Sequence, residues 1–339
     1  MEYQKYDDIR LEHARSPADW KDACTAFSHA TAFHRYDFLK AVAPCLQCTF
    51  EPLVVLCGNQ KVGVAPLLVK KYGPFCVLNR VPFPYLGPLV PAPLIPATLA
   101  ALAAEAGRRR ALDHYQFFSP SDSPPAVEGF TRRTDRTFVM PLRDRSDQEL
   151  MKAMDSTRRK EIRRSERMGL QVYPASLDDF KLMDIWNEQL YASQGLRPIY
   201  PPGTYERIFS ALNGAPGSSF YSARIDGRTV GVQINLSSAR RVFAWQAGID
   251  GSFRSPSPQS ILMWHTARQA RDAGADEFDL VGAPSEGIAT YKIRLGAEQR
   301  SYVLMRRAVP AYRLARAVTS RMLVAARKSL RLAQVSAKS

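Results

Sequence analysis

Apolar runs and turn signals follow one pattern that occurs twice along the chain. First, Leu53-Val-Val-Leu56 leads into Gly58-Asn59, then Lys61-Val-Gly-Val64 and an apolar run over residues 65–69. Later, residues 220–225 lead into Asp226-Gly227, then Thr229-Val-Gly-Val232 and residues 233–236. Two β-rich runs joined by such a turn predict a β-hairpin. Each half continues with a helical stretch, 97–110 or 260–273. A strand closed by proline follows, ending at Pro120 or Pro284. Earlier helices over 20–27 and 180–190 also correspond. The matches keep the same order, so the chain reads as a tandem duplication.

The predicted fold class is therefore α/β (α+β): two similar domains in tandem, with mixed, mostly antiparallel sheets and a C-terminal basic helix. The polar segment 143–147 marks the boundary. It gives domains over 1–145 and 146–310, the second carrying the active site, and a basic tail over 311–339. Six prolines between Pro82 and Pro96 exclude a central strand or helix there and predict an ordered loop. In the second half, a strand over 241–250 precedes a loop over 251–260 and a helix over 261–273. Ser260 is the expected N-cap and Gly274 the expected stop. A strand over 278–282 follows, then a strand-like run in which Lys292 lies between Tyr291 and Ile293.

At 339 residues with 45% hydrophobic content, the chain has enough apolar surface for two cores. No window resembles a membrane span, and the polar start does not read as a signal peptide. The five cysteines all lie in the first quarter and their number is odd, which predicts reduced thiols and a cytoplasmic location. Cys45 and Cys48 form a lone CxxC with no second pair, so no metal site is expected. There is no GxSxG and no phosphate-binding GxxxxGK[ST] loop.

The net charge of +15 changes the picture more. Nine basic residues and no acidic one lie in 306–339. A second cluster comprises Arg158, Arg159, Lys160, Arg163, Arg164 and Arg167, opposed by Glu161 and Glu166. Such a balance favours a polyanionic partner: RNA, a nucleotide-linked substrate or an anionic lipid surface. The tail over 312–332 reads as a basic amphipathic helix suited to a tRNA backbone or to the inner face of an anionic membrane. Packing on the first domain explains the same pattern without a partner.

Ile261-Leu-Met-Trp-His265, Ala273-Gly-Ala-Asp-Glu-Phe-Asp-Leu-Val-Gly282 and Tyr291-Lys-Ile-Arg-Leu-Gly296 together resemble the Fem family of peptidoglycan-bridge aminoacyltransferases and related GNAT-superfamily proteins. Thr157-Arg-Arg-Lys-Glu-Ile162 resembles the basic helix that opens that family's second domain. The resemblance covers residues 157–302; in the first half it rests on the repeat and on Phe33-His-Arg-Tyr-Asp-Phe-Leu39. It implies two GNAT-like domains and transfer of an aminoacyl group from aminoacyl-tRNA to an amine, forming an amide. The acceptor implied is an amine-bearing small molecule, or a lipid- or nucleotide-linked one. Acyl-CoA is the alternative donor, used by relatives acting on amino sugars.

Three features depart from the family. Leu295 replaces an aromatic, no long helical hairpin follows Arg167, and 254–259 (Arg-Ser-Pro-Ser-Pro-Gln) lacks the glycines that wrap a CoA pyrophosphate. Pro256 and Pro258 remove two N–H donors there.

Amine attack on an ester or thioester needs a neutral amine and oxyanion donors, but no metal and no bound cofactor. By resemblance Lys292 is the candidate for the reacting carbonyl or a phosphate, and Asp279 could orient an amine. Arg158 and Arg159 match the basic helix, and Arg163 extends it. Trp245 and Gln246 lie on the strand facing the supposed cleft, although a core role suits Trp245 better. Arg254 adds charge at the loop, and Tyr291 and Arg294 flank Lys292. Structural roles remain open for each. His265, mid-helix among apolar residues, reads as a core histidine.

Overall fold

The computed structural model describes residues 8–122, 124–198, 200–253 and 255–314. The first half runs β1 (Ile9–His13), α1 (Pro17–Thr25), α2 (Tyr36–Cys45), β2 (Thr49–Cys57), β3 (Gln60–Tyr72), β4 (Phe75–Leu78), α3 (Ile95–Arg108), β5 (Ala111–Phe117) and β6 (Thr131–Pro141). The second runs α4 (Asp147–Ala153), α5 (Ser156–Arg167), β7 (Gln171–Pro174), α6 (Leu177–Ser193), α7 (Thr204–Leu212), β8 (Ser218–Ile225), β9 (Arg228–Ser238), β10 (Arg241–Ile249), α8 (Pro258–Asp272), β11 (Glu277–Gly282), α9 (Glu286–Arg294) and β12 (Glu298–Ala308).

Both expected hairpins form, as β2–β3 and β8–β9, and the register slips once in each, at Val55/Leu56 and at Ala223/Arg224. Gly63 and Gly231 show why the Val-Gly-Val motif recurs. A Cβ on Gly63 would sit 2.0 Å from the Leu89 carbonyl of the proline-rich segment. One on Gly231 would meet Ile249, Pro258 and Leu262 at 2.9–3.2 Å.

The halves do not form separate sheets. Twelve strands make one mixed, mostly antiparallel sheet in the order β1-β2-β3-β4-β5-β12-β6-β11-β10-β9-β8-β7. Read inward from either end, the order is equivalent, which is an approximate two-fold symmetry. Each half gives its last strand to the middle: β6 pairs with β11, and β12 with β5. The sheet is continuous across the expected boundary at 143–147.

Helices cover both faces. On one, α1, α2, α6 and α7 bury a core drawn from both halves, in which Phe38 and Phe83 lie 5.3 and 5.4 Å from Trp245. On the other, α3 covers the first half, and α4, α5, α8 and α9 cover the second. Their starts are set locally: Ser146 and Ser176 form capping boxes, and Ser257 accepts from the Ser260 N–H. The N-cap of α8 is therefore Ser257, not Ser260, because Pro258 is suited to the first helical position. Gly274 ends the helix at φ +82° as expected. Residues 310–314 begin a helix, but the rest of the expected basic helix lies outside the described residues.

Two histidines are buried without charge. The Thr31 N–H donates to Nδ1 of His34, whose Nε2–H donates to the Gly87 carbonyl. Burial lowers its pKa to about 4, and that of His114 to about 3.

Gly63→Ala should destabilise the protein by about 2–4 kcal/mol in equilibrium denaturation, because the obstructing atom is backbone. The histidines predict a pH effect of known sign. The unfolded chain takes up these protons near the ordinary value of about 6.5, and the folded chain only well below it. Their contribution is fully present above about pH 6.5 and is lost as the pH falls toward about 4. Stability should drop by roughly 1–2 kcal/mol per histidine between pH 7.5 and pH 5. His34→Gln, which keeps one donor and one acceptor, should flatten that slope in denaturant titrations.

Candidate active site

β10 and β11 pair in parallel only where Arg241, Val242 and Phe243 face Glu277, Phe278 and Asp279. Beyond that they separate, for two local reasons. β10 shifts register against β9 between Ala244 and Gln246, leaving Trp245 as an extra residue. β11 turns at Val281, whose φ is +56°. A β-branched residue is rarely left-handed, and holding it there costs about 1–3 kcal/mol.

The separation opens a slot of about 350 Å³. Its walls are residues 244–247 of β10, Leu280, Val281 and Gly282 of β11, Gln259 and Met263 of α8, and Ile288, Tyr291 and Lys292 of α9. Beyond Phe243 the backbone of β10 has no ladder partner on the β11 side. Unpaired N–H groups beside a largely apolar slot are what a developing oxyanion requires.

Lys292 lies on a helix, not on the expected strand: Ser285 caps α9 by accepting from the Ile288 N–H. The residue is 7% exposed, and its Nζ donates to the carbonyls of Leu280, Val281 and Gly282 at 2.5–3.2 Å. Burial lowers its pKa to about 8, against the pull of Asp279, so it is mostly an ammonium at neutral pH. Three carbonyls take three protons. Lys292 thus holds the turn of β11 in place at the slot wall.

Asp279 lies behind that turn and is fully buried. It accepts from the Val281 N–H at 2.8 Å and from the Thr137 hydroxyl of β6 at 3.0 Å. Thr137 accepts from the hydroxyl of Tyr85, in the proline-rich segment. Burial raises the pKa of Asp279. The carboxylate does not line the slot; it secures the left-handed Val281. Neither Tyr85 nor Thr137 was singled out in the sequence. The only signal for Tyr85 was its place in a proline-rich loop expected to line something.

The other candidates separate by environment. Arg158 pairs with Glu161 at 2.6 Å and lies 5.1 Å over the Tyr291 ring. Arg159 donates to the carbonyls of Met151, Lys152 and Met154, closing the C-terminus of α4. Arg163 and Arg294 are exposed. Trp245 is buried, its indole N–H donating to the Pro82 carbonyl. Gln246 donates to the Tyr200 hydroxyl at 2.8 Å. Arg254 lies outside the described residues. His265 lies in a separate surface hollow, its ring against Tyr221.

At the start of α8, Pro258 offers no N–H, Ser260 gives its N–H to Ser257, and the Ser260 hydroxyl donates to Glu161. A carboxylate already faces the helix end that would otherwise attract an anion. In the first half, the matching end of β5 is covered by the chain itself. Gly87 packs so closely on Phe117 that a Cβ would lie 2.9 Å from its carbonyl oxygen. Among the described residues no group of three His, Cys, Asp or Glu side chains could hold a metal ion.

Residues 154–292, which contain the whole slot, match the family model described as an acetyltransferase (GNAT) domain. No curated protein matches the chain. Among solved structures, FemX superposes with a TM-score of 0.66 at 14% identity, over 90% of this chain and 99% of that one. A tandem GNAT protein from the clavulanic acid biosynthesis pathway gives 0.57 at 13%, over 89% and 98%. The C-terminal domain of a putative lysylphosphatidylglycerol synthetase from Agrobacterium fabrum gives 0.57 at 13%, over 88% and 95%. At these identities the likeness is one of fold. The chain carries a GNAT acetyltransferase domain over residues 154–292 and is an acyltransferase.

Proposed function

We propose that the protein transfers an aminoacyl group from aminoacyl-tRNA to an amine, forming an amide, with the reacting carbonyl in the slot between β10 and β11. The amine attacks the ester carbonyl, the open N–H groups of β10 stabilise the oxyanion, and the tRNA hydroxyl leaves with a proton. Lys292 and Asp279 position the slot wall. Gln246 and Tyr291 contact the bound groups, with Trp245 behind them. The acceptor is an amine-bearing small molecule, or one carried on a lipid or nucleotide.

The observation that carries the choice of donor is the surface of α5. Lys160, Arg163, Arg164 and Arg167 are all exposed, at spacings that place them on one helical face. The row stands on the solvent side of α5, opposite the packed side on which Arg158 meets Tyr291 of the slot wall. The row suits a phosphodiester backbone. The start of α8, with its proline and opposed carboxylate, does not suit a compact pyrophosphate. Acyl-CoA remains the competing donor, and the family model's acetyltransferase description favours it.

Binding to bulk aminoacyl-tRNA across a salt series separates the two. The protein should bind with a steep dependence on salt. Changing all four exposed cations to Gln should reduce the log–log slope by about 3. Arg159→Ala should leave that slope nearly unchanged and lower stability instead. Acetyl-CoA binding with no tRNA signal would sink the proposal. Lys292→Met should cost about 2 kcal/mol of stability, since three carbonyls in and beside the buried strand lose their donor, and should lower transfer activity more than tRNA affinity.

A further inference from the structure

The register of the sheet brings four chain segments to one edge. β3 ends there at Tyr72, opposite Phe75, where β4 begins. β5 starts beside it, with Ala111 paired to Cys76, directly after α3 ends. β12 finishes at the same edge, and the N–H of Val309 donates to the Leu112 carbonyl.

This edge exposes large apolar side chains: Tyr72 at 50%, Phe75 at 44%, Val309 at 38% and Leu314 at 68%. Tyr72 and Phe75 flank the tip of a hairpin, Gly73-Pro74, and each leaves about half of its surface to solvent. Around them stand Lys70, Lys71, Arg110 and Arg313, none within ion-pair distance of a carboxylate among the described residues. The nearby carboxylates are engaged: Glu105 and Glu51 by Arg109, and Asp113 by Arg306. Glu128 is exposed in the loop before β6. The chain continues from Leu314 through 25 residues that contain six basic and no acidic side chains.

We propose that this edge is a docking surface for an anionic lipid bilayer. Tyr72 and Phe75 enter the interface while the lysines and arginines meet the headgroups. Aromatic tips suit an interface with one wet and one apolar side, and basic residues add attraction that salt screens. A nucleic acid would use the charges but would leave the aliphatic Val309 and Leu314 unexplained. The antiparallel register also points the C-terminal end of β11, and so the slot, toward this edge. Docking does not depend on the identity of the donor.

The test is sedimentation of the full-length protein with vesicles of phosphatidylcholine alone or with about one third phosphatidylglycerol, at low and high salt. Binding should require the anionic lipid and weaken with salt. Tyr72→Ser with Phe75→Ser should weaken it about tenfold without lowering the melting temperature. Phe75→Trp supplies a direct reporter, whose emission should shift to the blue on adding anionic vesicles. No binding to anionic vesicles would overturn the proposal. So would binding that the double variant leaves intact with no blue shift, since the tail alone would then account for it. An RNA affinity lost in the double variant, without vesicle binding, would assign the edge to nucleic acid instead.

Discussion

β6 and β12 lie antiparallel at the middle of the sheet, Thr131 facing Arg306 and Val139 facing Glu298, and the other strands are ordered outward from that pair. A strand at this position must satisfy its backbone groups on both edges. β12 does so with β5 on one side and β6 on the other, and β6 with β12 and β11. Each half therefore completes its sheet with a strand from the other. The cross-strand hydrogen bonds that join the halves are of the same kind as those that build each one. The shared aromatic core, in which Phe33 lies 5.3 Å from Phe243, adds apolar burial to that backbone link.

The slot depends on this exchange. Thr137 reaches Asp279 because β6 lies next to β11, and Tyr85 reaches Thr137 because the proline-rich segment crosses the first half to the seam. From Asp279 the connection runs through the Val281 N–H to a left-handed turn, and from that turn through three carbonyls to Lys292. The wall of the second half's slot is thus supported by residues of the first. The two halves use equivalent strand orders differently. In the first, the chain covers the end of β5 with its own residues; in the second, that end stays open.

The arginines of α5 show how one residue type serves unlike purposes at adjacent positions. Arg159 is spent on the carbonyls that end α4, and Arg158 on Glu161 and an aromatic face. Arg163, Arg164 and Arg167 face solvent. A guanidinium can donate five hydrogen bonds in a fixed plane, so it closes a helix end as readily as it meets a phosphate. Which of these it does is set by what stands opposite.

Local patterns in the sequence determined the elements. Alternation and turn residues specified both hairpins, Gly274 stopped α8, and the recurrence of Val-Gly-Val marked the two hairpins as equivalent. Those features depend on neighbours a few residues apart, which the sequence displays directly. The segment around Lys292 misled, because four residues of mixed apolar and basic character fit a strand or a helix; the Ser285 cap and packing against β6 decided for the helix. Single residues such as Lys292, Asp279 and Tyr291 could be singled out by type and resemblance, but not what they touch. Tyr85 and Thr137 lie 52 residues apart, and Thr137 and Asp279 lie 142 apart. Only the course of the proline-rich segment made the first two neighbours, and the pairing of β6 with β11 the second two. The sequence by itself determined both hairpins and the helix ends set by turn residues, because those depend on neighbours a few residues apart. The tertiary structure decided that two halves share one sheet, that one slot is open, and which charges remain free, because strand exchange and ion pairing depend on partners far away in the chain.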